Sequence, residues 1–230
     1  MRFRSLLGGT MISSVALWCT APLAFAAEDE KDPLTKNPIV FMDIEIGGNY
    51  GELQKGRVTF ELYANKYPKT AENFRCLCTG EKGSAYRWPF GSAPLHYKGS
   101  RFHRIVPGVM VMGGDIVHGN GVGGVSIYGN EFGNETKRSE DMGTHGFGTL
   151  SMTNTGRRTQ HSQFFICLDP VGEIGPTGVP LGTLDGKHVV VGRVLTGFEL
   201  IGEMQKTHNV FHSSCTPKRE MTVVDCGQLQ

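Results

Sequence analysis

Pro38-Ile39-Val40-Phe41-Met42-Asp43-Ile44-Glu45-Ile46 sets the pattern from which the fold is read. Val40, Met42, Ile44 and Ile46 fall on every second position, with Asp43 and Glu45 between them. A period of two is that of a strand with one buried face. After a Gly-rich turn, Val58, Phe60 and Leu62 repeat it, so the two runs are predicted to form a hairpin. Short strands are expected again at 102–106, 109–113, 148–152, 163–168, 188–194 and 221–226. Helical spacing appears in two places. Pro68 opens a run in which Ala71, Phe74, Leu77 and Cys78 share a face, and Gly80 can end it. Leu200, Ile201 and Met204 share a face within 198–206. The stretches 83–100 and 169–182 carry Pro and Gly without a period and read as loops. The predicted class is mostly β: a closed eight-stranded antiparallel barrel capped by two helices.

The first 26 residues are of another kind. Arg2 and Arg4 precede an interrupted apolar stretch, and Ala24-Phe25-Ala26 forms a small-x-small cleavage site. This is the pattern of a secretory signal peptide cut after Ala26. An uncleaved anchor is the rival, but a span needs about 20 apolar residues without such breaks. The organisation expected is therefore a signal peptide over 1–26, a flexible leader over 27–37 and one domain over 38–230. The destination expected is the secretory lumen or the outside of the cell, with no membrane span in the mature chain.

The whole chain has 230 residues, 20% of them charged and 9% aromatic, which places it among ordinary globular proteins. Without Arg2 and Arg4 it keeps 21 basic and 22 acidic side chains, a net charge of −1. That balance argues against nucleic acid or an anionic membrane as partner. Five cysteines remain after cleavage: Cys76, Cys78, Cys167, Cys215 and Cys226. An odd count leaves at least one thiol unpaired or intermolecular. Cys76-Leu77-Cys78 is C-x-C without a second close pair, so no zinc site is expected.

Two runs carry candidate chemistry. Phe102-His103-Arg104-Ile105-Val106-Pro107-Gly108 brings a cation to a strand end, and Ser162-Gln163-Phe164-Phe165-Ile166 brings an amide and an aromatic wall. Phe164 and Phe165 are adjacent, so on a strand one faces the core and the other can line a pocket. Cation, amide and aromatic suit rotation about an X-Pro peptide bond, whose barrier of about 18–20 kcal/mol comes from amide resonance. A donor on the prolyl nitrogen localises its lone pair and weakens that resonance. No metal, nucleophile or cofactor is required. From these residues alone, a solvated strand-end arginine is the simpler reading of Arg104. Likewise Gly113-Gly114-Asp115 reads as a turn, since it lacks the P-loop lysine and the following helix.

The ordered runs Pro68-Lys69-Thr70-Ala71-Glu72-Asn73-Phe74-Arg75, Phe102-His103-Arg104-Ile105, Gly113-Gly114-Asp115, Ser126-Ile127-Tyr128-Gly129, Ser162-Gln163-Phe164-Phe165-Ile166-Cys167 and Leu184-Asp185-Gly186-Lys187-His188 resemble those of the cyclophilins. The resemblance runs from about Pro38 to Leu229. It implies a barrel capped by two helices and peptidyl-prolyl cis-trans isomerase activity. By the same resemblance Arg104 is the catalytic arginine, and Phe165, Met110 and Leu184 wall the proline pocket. Gln163, Asn154, His103 and His188 hold substrate backbone or rim the pocket, with Gly121 in the adjoining loop.

Several matching positions depart from the commonest pattern. Val109 replaces a phenylalanine of the proline pocket, and Met112 replaces a glutamine that steadies the arginine. Thr183 stands in place of tryptophan or histidine, and Thr153 and Thr155 replace small alanines beside Asn154. The expected function is isomerisation of X-Pro bonds in protein clients, with reduced activity. The alternative is a proline-peptide binding or chaperone module with little turnover. The partners expected are proline-containing peptides and unfolded clients, the protein acting as a monomer. Cyclosporin, the family's macrocyclic inhibitor, is expected to bind weakly because Thr183 offers little apolar surface. Some relatives with an enlarged loop like 83–100 carry cysteines matching Cys78 and Cys226, so either a disulfide or two buried thiols is open, the thiols being the simpler reading. Asn134-Glu135-Thr136 is a possible glycosylation sequon.

Overall fold

The computed structural model describes residues 37–47, 52–87, 91–136, 138–156, 158–168, 183–207 and 215–230. The expected signal peptide, nearly all of the leader and the stretch 169–182 lie outside the described residues.

The predicted hairpin forms as β1 (Ile39–Ile46) and β2 (Gln54–Leu62), paired in register from Ile39 with Glu61 to Ile46 with Gln54. Val40, Met42, Ile44, Ile46, Val58, Phe60 and Leu62 are all fully buried, so the alternation of the sequence is the inside–outside alternation of the sheet. Helix α1 (Pro68–Thr79) follows. Pro68 occupies its first turn, where no N–H is needed, and Gly80 caps it at φ +71° with its N–H on the Cys76 carbonyl. The free N–H groups of Lys69 and Thr70 donate to the Glu135 carboxylate at 2.8 and 2.7 Å. A remote glutamate thus satisfies the two first-turn donors that follow Pro68.

β5 (Arg104–Val106) and β6 (Met110–Gly113) form a second hairpin. β8 (Thr149–Asn154), β9 (Thr159–Cys167) and β10 (Val190–Thr196) complete the middle of the sheet, and β7 (Phe132–Gly133) pairs with the start of β9. Helix α2 (Phe198–Lys206) buries Leu200, Ile201 and Met204, the face expected. β11 (Met221–Gln228) returns to β1. The antiparallel path runs β11-β1-β2-β10-β8-β9-β6-β5. The core is aromatic at its centre: the rings of Phe74, Tyr97 and Phe164 lie 5.1–5.2 Å apart pairwise.

Three expectations need correction. The barrel is open. Its end strands β5 and β11 share no continuous ladder; the segment just before β5 meets β11 instead, through the bridge of Arg101 with Thr222 and backbone bonds at Gly99, Ser100 and Phe102. β5 is only three residues long, so it has no length with which to line β11. The stretch 83–100 is not all loop, because β3 (Ser84–Arg87) and β4 (Gly91–Pro94) make a small separate hairpin. β9 begins at Thr159, ahead of the expected start, since its polar first residues pair with β7 and with Asn154. No helix among the described residues is long and apolar enough to cross a membrane.

Candidate active site

The sheet register assembles the site. Arg104 on β5 faces Met112 on β6, Met112 faces Phe165 on β9, and Phe165 faces Ser151 on β8. Phe164 turns into the main core, and Phe165 turns the other way into a second apolar cluster with Val109, Cys167 and Leu184. Val106, Met110 and Met112 pack on it. The alternation expected of the Phe164-Phe165 pair is therefore realised. Val109 is 1% exposed and Phe165 likewise, so the smaller side chain at 109 has been closed over by its neighbours.

The Arg104 side chain is exposed and forms no hydrogen bond or ion pair with another described residue. The side chain opposite it, Met112, has no donor or acceptor strong enough to orient a guanidinium.

Beside the apolar cluster lies a polar corner. Gln163 donates both hydrogens of its amide, to the carbonyls of Gly121 (2.8 Å) and Gly123 (2.6 Å), leaving its oxygen as the free end. Gly121 has φ +90°, and a Cβ there would sit 2.7 Å from the His103 ring, so only glycine lets the loop lie on His103. Thr153 donates to the Gln163 carbonyl at 3.2 Å. Asn154 donates its side-chain amide to the Lys187 carbonyl, next to His188, whose ring meets the Phe165 ring edge-on at 5.2 Å. Burial holds the pKa of both His103 and His188 below the ordinary histidine value, so both are neutral at neutral pH. Thr155 stands apart: its hydroxyl is exposed and engaged with Glu131 (2.8 Å) and Thr159 (2.6 Å). Thr183, just before Leu184, is exposed.

Three contributors carried no clear signal in the sequence reading. Asp115 is 1% exposed and accepts backbone N–H bonds from Val117, His118, Asn120, Gly121 and Gly123. Burial opposes its charge, yet these bonds outweigh it and hold its pKa at about 2. It thereby fixes the loop that presents Gly121 to Gln163. Cys167 lies two positions from Phe165 on one strand face, which strand periodicity alone could have shown. His145 lies flat behind Phe165, with ring centroids 5.7 Å apart.

Cys78 and Cys226 are both buried and carry free thiols in this structure, on the packed elements α1 and β11. They fill core space as small apolar groups, and burial drives the Cys78 thiol well up and that of Cys226 to about 12. Both polar side-chain atoms of Asn134 are shielded and have no hydrogen-bond partner among the described residues. Glu72, Cys76 and Glu81 bring ligand atoms within 4.8 Å of one another. Arg75 lies among them, bonding Glu72 at 2.8 Å and Glu81 at 2.7 Å. Burial pushes the Cys76 thiol up to about 12, and Arg75 already engages both carboxylates, so this cluster reads as an ion-pair network.

The geometry invites comparison with known proteins. Residues 41–228 match the family described as cyclophilin type peptidyl-prolyl cis-trans isomerase/CLD. The chain belongs to the cyclophilin family. A peptidyl-prolyl cis-trans isomerase of Rhizopus delemar is 47% identical over 194 residues, which cover 84% of this chain and 51% of that protein. The chain thus spans about half the length of the curated relative it matches. The cyclophilin match begins within β1 and ends within β11, so it contains every site residue named above.

Proposed function

We propose that this cyclophilin isomerises X-Pro peptide bonds in protein chains and thereby assists their folding. The observation that carries the reading is the unpartnered Arg104 beside the Phe165 cluster, with a polar corner next to it. The apolar cluster takes the proline ring through Phe165, Met110 and Leu184. Arg104 donates to the prolyl nitrogen as the bond twists, and its charge favours the twisted state, in which amide resonance is lost. Asn154 and Gln163 border the flanking backbone, Gln163 through its free oxygen. No proton leaves either partner and no covalent bond forms.

A second reading is a proline-peptide binding module with little turnover. Met112 opposite Arg104 favours it, because the catalytic cation then has no orienting partner. The separating experiment measures both peptide binding and isomerisation on the purified domain, for the native chain and for Arg104→Ala. Turnover that falls with Arg104 while peptide affinity largely survives supports the enzyme. Binding with negligible turnover in both proteins supports the binding module. We further propose entry into the secretory pathway through a signal peptide cleaved near Ala26, tested by N-terminal sequencing of the mature protein.

A further inference from the structure

His145 has no part in the proposed chemistry, yet its setting is unusual. It is fully buried, and its ring stacks on Phe165 at 5.7 Å and 15°. One oxygen of Asp185 accepts from both its backbone N–H (2.8 Å) and its Nδ1–H (2.7 Å). That pair of hydrogen bonds to one carboxylate oxygen joins the turn before β8 to the turn that carries Leu184 and His188. The His188 ring stands edge-on to both, 6.4 Å from His145 and 5.2 Å from Phe165. The Nε2 of His145 is buried, with no partner among the described residues.

We infer that His145 is a positioning residue for the proline pocket, its Asp185-clamped imidazole fixing the Phe165 ring relative to the Leu184 turn; this rests on the functional reading above. On that functional reading Phe165 backs the proline ring in ground and transition state, so the effect falls on both alike. The titratable groups facing His145 are Asp185 and His188, with Lys187 beyond. The ring is neutral at neutral pH because burial outweighs the pull of Asp185. Protonation would place a second N–H in the same partnerless spot, so acid loosens the pocket.

The test compares the native chain with His145→Phe, which keeps a stacking ring and loses the clamp, and with Asp185→Asn, which keeps an acceptor and loses the charge. Affinity for a proline peptide, KM and kcat are measured between pH 5 and 8, and folding is checked by thermal unfolding. Expected for a folded His145→Phe is roughly a 10-fold rise in KM and in peptide Kd with kcat nearly unchanged. Its affinity should also lose part of the acid-side decline of the native chain, and Asp185→Asn should fall between the two. Native KM, Kd and pH profile in folded His145→Phe would overturn the inference and leave the isomerase reading standing. A native chain that neither binds nor isomerises proline peptides overturns both.

Discussion

Met112→Gln is the substitution that asks whether the departures at this site limit catalysis. Met112 faces Arg104 across the β5–β6 ladder and Phe165 across the β6–β9 ladder, so a side chain at 112 lies between cation and aromatic wall. Gln and Met are both unbranched, and the position is only half-buried, so the fold should hold. A hydrogen bond to a charged group contributes about 1.5–3 kcal/mol. Arg104 is exposed, which reduces this, and the new amide gives up part of its own hydration on entering the apolar cluster. A net gain of about 1 kcal/mol in the transition state remains, or roughly 5-fold in rate. Because the guanidinium must be aimed when the prolyl nitrogen pyramidalises, the gain should appear in kcat and in kcat/KM. The assay is isomerisation of a proline tetrapeptide, followed by magnetisation exchange between its cis and trans signals. An unchanged or lower kcat in a folded Met112→Gln protein would refute the argument that Arg104 lacks an orienter.

Two further outcomes follow from the same geometry. Asp115→Asn should destabilise the fold by about 2 kcal/mol at neutral pH, since a folded pKa of about 2 lies below its ordinary 3.8. The stabilisation from Asp115 is complete above the ordinary value and fades as pH falls toward 2, so the variant should show a flatter acid-unfolding profile in thermal melts. Cyclosporin should bind the native chain weakly and Thr183→Trp more tightly, because the exposed threonine offers little apolar area; tight binding of the native chain in calorimetry would contradict this.

Much of the architecture was readable because burial here is one-sided. β1 and β2 bury one face, so apolar residues alternate, and α1 and α2 each bury one stripe. The Phe164-Phe165 split followed from the strand period alone. Other features lacked such a signal. The polar start of β9 is held by pairing with β7 and β8, which no apolar pattern records. The β3–β4 hairpin is built from small and polar residues within a Pro/Gly-rich stretch. Counting strands cannot decide whether the end strands meet, and here the shortness of β5 leaves the barrel open. The apolar pocket wall was legible as a set, but its supports were not. Asp115 and His145 sit in glycine-flanked turns and act through partners two to forty residues away. Their roles exist only once the chain is folded.

The central claim is that Arg104 carries catalysis. The most direct measurement is kcat/KM for a proline peptide in the native chain and in Arg104→Ala, at equal folded concentration. The account predicts a fall of roughly 100-fold or more, about 3 kcal/mol of transition-state stabilisation. Native turnover in the folded Arg104→Ala protein would contradict it.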